Sequence, residues 1–425
     1  MNKEILRLAI PNIISNISVP LLSAVDTALM GHLSTMHLGA VGLGAMIFNF
    51  LYWNFGFLRM GTTGLVAQSL GGNDQERIVS LLWQSVVIGL GVGLLLLLGR
   101  GPLLSLAYAA LDIGSEQQPL VADYYSIVII GAPIVIATYG LYGWLFGMQD
   151  ALTPMVVTII TNVVNISVSY HLVIHRELGI AGAAMGTLIS QVLAFLILFV
   201  VALIRTKGRS WRLRSSSWSS FLTVNRDLFL RTVALTFAFG FFYRQSSDLG
   251  PVVLAAHVIL LQFLSWMSYG IDGFAFASES LVGLHYGARD FQMVDVAVKR
   301  SFQWGLGLAL FFGLLFLGLG NEVAELYTDD PEVLATIRKY MWSLSALPLL
   351  AFGCYIWDGI FIGYGASREM RDAMLLSLIC YVVLFTIFRE FTTWAIWISF
   401  MIFLALRGVL QTVYYARSIQ PRLWE

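Results

Sequence analysis

Long apolar runs dominate the chain, and charged residues fall mostly between them. Residues 27–58, 78–99, 124–149, 151–175, 178–204, 249–271 and 301–321 contain no Asp, Glu, Lys or Arg. Each reaches the roughly 20 residues that a helix needs to cross a bilayer. The pattern predicts an all-α integral membrane protein with twelve transmembrane helices. The expected spans are 8–30, 38–70, 78–98, 119–147, 151–174, 180–204, 227–248, 251–285, 293–319, 333–363, 370–388 and 392–416. The first span, 8–30, is too long for a cleaved signal peptide and contains Asp26, so it is expected to stay as the first helix.

Composition fits this class: 58% of residues are hydrophobic and 12% charged, against about 25% charged in soluble domains. With zero formal net charge, no nucleic-acid partner is indicated. Cys354 and Cys380 fall in apolar runs and read as buried small side chains, not as a disulfide or metal site. Of 25 Lys and Arg, seventeen fall on the face that carries both termini. Six fall opposite (Arg100, Arg176, Arg244, Arg338, Lys339 and Arg389), and two, Arg59 and Arg407, lie within spans. The positive-inside bias predicts both termini in the cytoplasm of a cell inner-membrane protein.

Two halves are visible. The basic stretch 205–226 is expected to be a cytoplasmic linker between a lobe at 1–204 and a lobe at 227–425, with six spans each. Gly71-Gly-Asn-Asp74 recurs as Gly287-Ala-Arg-Asp290, Gly89-Leu-Gly91 as Gly305-Leu-Gly307, and Tyr139, Gly143 and Gly147 as Tyr355, Gly359 and Gly363. Every pair keeps the spacing of Asp74 and Asp290, so the repeat runs without a gap. An even number of spans per half makes the copies parallel, which predicts a pseudo-twofold about the membrane normal and a central cleft. Such an arrangement suits a transporter that rocks two lobes about a shared site.

Charged groups deep in a bilayer are costly and point to function. Asp26 stands fifteen residues after Pro11 and six after Pro20 on the first span. Burial disfavours its ionised form, while the prolines permit bending. At about 1.5 Å per residue, Asn165 and Thr187 fall at the same depth, in the outer half of the first lobe. Asp26 is therefore expected to be the ion-coupling residue, its ionised form held by Asn165 and Thr187. Asp272, Glu279 and Asp358 are candidates in the second lobe, with Arg59 a possible partner for one of these acids. Soluble catalytic motifs and a phosphate-binding loop are absent from the sequence, so no enzyme activity, cofactor or metal is expected.

The segment Pro11-Asn-Ile-Ile-Ser-Asn-Ile-Ser-Val-Pro-Leu-Leu-Ser-Ala-Val-Asp26-Thr resembles the first helix of the multidrug and toxic compound extrusion (MATE) family. Leu58-Arg-Met-Gly-Thr-Thr-Gly-Leu-Val-Ala-Gln68, Asp272-Gly-Phe-Ala-Phe-Ala, Asp358-Gly-Ile-Phe-Ile-Gly and Glu369-Met-Arg-Asp-Ala-Met374 are similar to its DNA-damage-inducible protein F branch. The resemblance covers essentially the whole chain. It implies two six-helix lobes forming a V and alternating access, with small, amphipathic, often cationic substrates exchanged for protons or sodium. It also implies a coupling role for Asp26, Asn165 and Thr187, and a first-helix bend at Pro11. Where the branch often has a second acid in the fifth span, this chain has Ser169, which favours protons over sodium. A monomer in contact with membrane lipid is expected. The competing readings are a lipid-linked oligosaccharide flippase of the same superfamily, which would carry a basic cleft, and an integral-membrane enzyme or receptor.

Overall fold

A computed structural model describes residues 1–31, 35–208, 215–391 and 393–420, and they are almost entirely helical. Helix α1 (Asn2–Gly31) is followed by α2 (Thr35–Trp53), α3 (Phe57–Gly71), α4 (Gln75–Leu98), α5 (Arg100–Ala110), α6 (Gln118–Val128), α7 (Ala132–Gly147), α8 (Leu152–Tyr170) and α9 (Gly179–Thr206). The second half comprises α10 (Ser215–Asp248), α11 (Pro251–Gly287), α12 (Phe291–Glu325), α13 (Pro331–Tyr364), α14 (Ser367–Phe388) and α15 (Thr393–Tyr414). Among the described residues, 10 stretches are long and apolar enough to cross a membrane. Helices α1 and α10, of 30 and 34 residues, are also long enough to span, making twelve crossings.

The helices differ from the expected spans where local chemistry interrupts them. The second span is two helices, because the chain leaves α2 at 54–56 and re-enters as α3. The fourth passes through a 3₁₀ turn at Ile129–Gly131, just before Pro133, which has no N–H to continue the ladder. Helix α5 follows α4 directly in a stretch read from sequence as a loop, and buries none of its residues. Helix α10 begins at Ser215, so much of the expected 205–226 linker is helical; residues 209–214 lie outside the described residues.

Contacts divide the chain into two compact units, Ile14–Leu222 and Met1–Ile13 with Thr223–Glu425. The first thirteen residues thus group with the second half. Gly273 gives the physical reason: a Cβ there would sit 2.3 Å from Ile13 Cγ1 and 2.9 Å from Ala9 O, so only glycine lets α11 pack this closely on α1.

Within each unit the same contacts recur at the offset read from the sequence. Asn73 and Arg289 both take left-handed backbone (φ 56° and 58°), as do Gln149 and Gly365 (62° and 73°). Asp74 caps α4 by accepting from Arg77 N, as Asp290 caps α12 by accepting from Met293 N. A Cβ on Gly143 would fall 2.3 Å from Arg59 O, and one on Gly359 would fall 2.1 Å from Ala275 O. Thr161 donates to Val157 O as Ser377 does to Ala373 O. In the sixth and twelfth spans the offset shortens by three: buried positions 186, 190, 194 and 198 answer 399, 403, 407 and 411.

Candidate functional site

One face of α8 and one of α9 meet through small and polar residues. Asn165 and Ser169 are buried on α8. Gly186 makes room for Ser169, whose Oγ would be 2.1 Å from a Cβ at that glycine. The Asn165 side-chain amide donates to Thr187 Oγ1 and Ser190 Oγ, both at 3.4 Å. Each hydroxyl donates its own hydrogen to a backbone carbonyl, Thr187 to Ala183 O (3.1 Å) and Ser190 to Thr187 O (2.8 Å). Both can therefore only accept from the amide. This fixes the orientation of Asn165 and leaves its Oδ1 a buried acceptor with no partner among the described residues; the Ser169 hydroxyl is in the same position. One turn away, Asn162 Nδ2 reaches Ser18 Oγ of α1 at 3.2 Å. Helix α1 runs unbroken through Pro11 and Pro20. The Asp26 side chain lies outside the described residues.

The corresponding place in the second unit is aromatic. Position 165 answers Tyr381, while 187 and 190 answer Phe400 and Phe403. The Tyr381 ring lies 6.0 Å from Phe400 and 5.5 Å from Phe403, which repeats the Asn165–Thr187–Ser190 triangle in rings. Helix α10 adds Phe242, 5.0 Å from Phe400. Position 242 answers position 26 at the same offset that relates Asp74 to Asp290.

The second unit has its own polar centre elsewhere. Buried Asp358 accepts from Arg231 of α10 and, at 2.8 Å, from Arg407 of α15 through one oxygen. Gln411 donates to the other oxygen at 2.7 Å. Asp358 is thus paired by Arg231 and Arg407; the sequence had offered Arg59 as a possible partner for one of the second-lobe acids. The Arg59 guanidinium lies 5.8 Å from the Phe146 ring centroid. Sequence reasoning counted Arg231 among the seventeen cations on the face that carries both termini and passed over Gln411; the i, i+4 spacing of Arg407 and Gln411 on one apolar helix was the available signal. Asp272 is half-buried beside Gly273. Glu279 is fully buried on α11, its carbonyl 2.8 Å from where a Gly363 Cβ would be. Both acids belong to the unit that contains Thr223–Glu425, and Asn165 to the other.

The sequence profile described as MatE matches residues 11–171 and again 229–389, once in each half. DNA damage-inducible protein F of Escherichia coli (strain K12) is 33% identical over 100% of this chain and 94% of its own length. The probable multidrug resistance protein NorM of Bacillus anthracis is 26% identical over 95% of this chain and 92% of its own. The same fold is seen in a crystal structure of a MATE protein in its bent conformation, with a TM-score of 0.89, 20% identity, and coverage of 100% of this chain and 95% of that one.

Proposed function

Since the chain belongs to the MatE family, we propose that it is an inner-membrane exporter of small amphipathic compounds, cations among them, driven by proton exchange through alternating access. Asp26 is the proton carrier in this reading, and Asn165, Thr187, Ser169 and Ser190 form its setting. The relatives named for multidrug resistance support export as the direction.

The observation that carries the reading is the repeated triangle. If Asp26 occupies in the first unit the place of Phe242 in the second, it lies beside Thr187, as Phe242 lies beside Phe400. The hydrogen-bond inventory then refines the expected chemistry. Asn165, Thr187 and Ser190 have committed their donors to one another and to the backbone. What remains beside Asp26 is the Asn165 Oδ1 acceptor, which suits the protonated acid O–H and not its carboxylate. The Ser169 hydroxyl is the spare donor for the ionised form. Proton loading therefore exchanges one α8 hydrogen-bond partner for another and shifts α1 along α8, where Ser18 is already bonded to Asn162. The prolines at 11 and 20 supply the bend.

Efflux of a fluorescent cationic dye, from cells or from reconstituted vesicles with an imposed pH gradient, tests this. Asp26→Asn should insert normally and lose pH-driven export; wild-type export with unchanged pH dependence would place the carrier elsewhere. For topology, a single cysteine within 207–214 should resist an impermeant thiol reagent in intact cells, and labelling would reverse the orientation.

A further inference from the structure

A ladder of alternating charges joins α10 to α14 where both helices begin their parallel course. Asp227, almost wholly buried, accepts from Arg371 at 2.7 Å and from Arg226 at 3.0 Å, both on Oδ1. Ser367 donates to its other oxygen at 3.4 Å. Arg371 continues to Asp372 at 2.6 Å, and Arg368 closes the series 3.9 Å from Asp372. Three guanidinium groups face two carboxylates, so one positive charge is left over. The ladder ends in arginines that are largely solvent-accessible: the side chains of Arg226 and Arg368 are 63% and 78% exposed. Neighbouring Glu369 forms no ion pair with any member among the described residues.

Beneath each terminal arginine runs an exposed apolar stripe on the same helix face. On α10 it is Phe229, Leu230, Val233 and Phe237; on α14 it is Leu375, Leu376, Ile379 and Val383. The spacing of three and four residues keeps each stripe in line with its arginine. Measured from its arginine, each stripe reaches about 16–22 Å along its helix at about 1.5 Å per residue, enough to line one leaflet of a hydrocarbon core about 30 Å thick. Further along, Phe241 stays within 5.3 Å of Tyr381 and 5.2 Å of Phe385, so the helices remain side by side.

We propose that the α10–α14 pair binds an anionic phospholipid, its phosphate held between Arg226 and Arg368 and its acyl chains along the two stripes. Planar guanidinium groups suit phosphate oxygens, and basic positions at the cytoplasmic ends of membrane helices meet anionic headgroups. The buried Asp227–Arg371 pair fixes the spacing of the two exposed arginines. The lipid thus binds at the root of α10, the helix that supplies Arg231 to the Asp358 cluster. The leaflet follows the proposed topology, but lipid binding in detergent does not depend on it, so either can fail alone.

The test is the melting temperature of the purified full-length protein in a neutral maltoside detergent, with added phosphatidylglycerol or cardiolipin and with phosphatidylcholine at equal mole ratio. Anionic lipid should raise the wild-type melting point by about 5 °C, and phosphatidylcholine should not. Arg226→Gln with Arg368→Gln should lose at least half of that rise. The control pair Arg289→Gln with Arg300→Gln, two exposed cations elsewhere, should keep it. Equal responses in the two double variants, or an equal effect of phosphatidylcholine, would overturn the proposal. Arg371 is left in place so that Asp227 stays paired. Should the double variant still melt too low to read, the lipids retained by each single variant in native mass spectrometry decide: unchanged retention in both refutes the site.

Discussion

Asp358→Asn isolates the buried charge cluster of the second unit. The wild-type cluster holds two guanidinium groups against one carboxylate, with Gln411 on the second oxygen. An asparagine keeps the shape but removes the negative charge, so Arg231 and Arg407 remain buried and uncompensated. Removing one partner from a buried ion pair costs about 3–5 kcal/mol. For a unit of about 200 residues, 1 kcal/mol moves the melting point by about 2–4 °C, so the expected drop is on the order of 10 °C. Cys354 supplies the reporter. It lies one turn before Asp358 on α13, is fully buried, and should react with a thiol-sensitive dye only on unfolding, in a Cys380→Ser background. Adding Arg407→Gln restores the wild-type charge balance and should recover roughly half of the loss. A melting point within about 2 °C of wild type for Asp358→Asn would refute this reading. So would an Arg407→Gln single variant that melts lower than Asp358→Asn, because it leaves Arg231 and Asp358 as a charge-balanced pair. Dye export by Asp358→Asn, measured below its melting point, should keep the wild-type pH dependence.

The repeated close approaches predict matched costs. Gly143→Ala and Gly359→Ala each force a methyl group into a carbonyl of the neighbouring helix and should each destabilise by about 1–3 kcal/mol. Gly91→Ala and Gly307→Ala, another pair at the same offset, have nothing within 4 Å and should be neutral or slightly stabilising; a fluorescence melt of detergent-solubilised protein checks all four. Ser169→Asp puts a second carboxylate beside Asn165 Oδ1 and should add sodium dependence to dye export, read as a difference between sodium and choline buffers. Equal export in both buffers would remove Ser169 from the ion site.

What the sequence revealed depended on how local the cause was. The spans are long apolar runs, and length in a bilayer is a one-dimensional property, so most could be read directly. The interruptions were not legible, because the same residue type breaks one helix and not another: the chain leaves α-geometry just before Pro133 but runs through Pro348 inside α13. The match of Asn165 with Thr187 was found by counting depth along two helices. Its direction was not, since which atoms donate depends on carbonyls that only the folded backbone supplies. Arg231 was misread because it lies within two turns of a basic flank, and its burial is a tertiary fact. The grouping of residues 1–13 with the second half turns on a packing contact at Gly273 that no pattern in α1 announces.

The two units show how a duplicated lobe can be specialised on a largely shared scaffold. Helix caps, left-handed turns and glycine contacts are held at a constant offset, so the scaffold is shared. Chemistry differs at two levels of the same helices. Where α8 and α9 place an amide and two hydroxyls, α14 and α15 place Tyr381, Phe400 and Phe403, of which Phe400 packs against Phe242, and the two phenylalanine corners carry no side-chain polar atom. Two turns along, the first unit has Ala194 and Leu198, and the second has Arg407 and Gln411 bonded to Asp358. The first unit thus keeps open acceptors and hydroxyls that can change partners, while the second fills that level with rings and ties three helices with fixed charges. A proton that must be taken up and released needs the former. In the proposed transport cycle a body that moves as one piece needs the latter, because packed rings and the Asp358 ion pairs tie α10, α13 and α15 together.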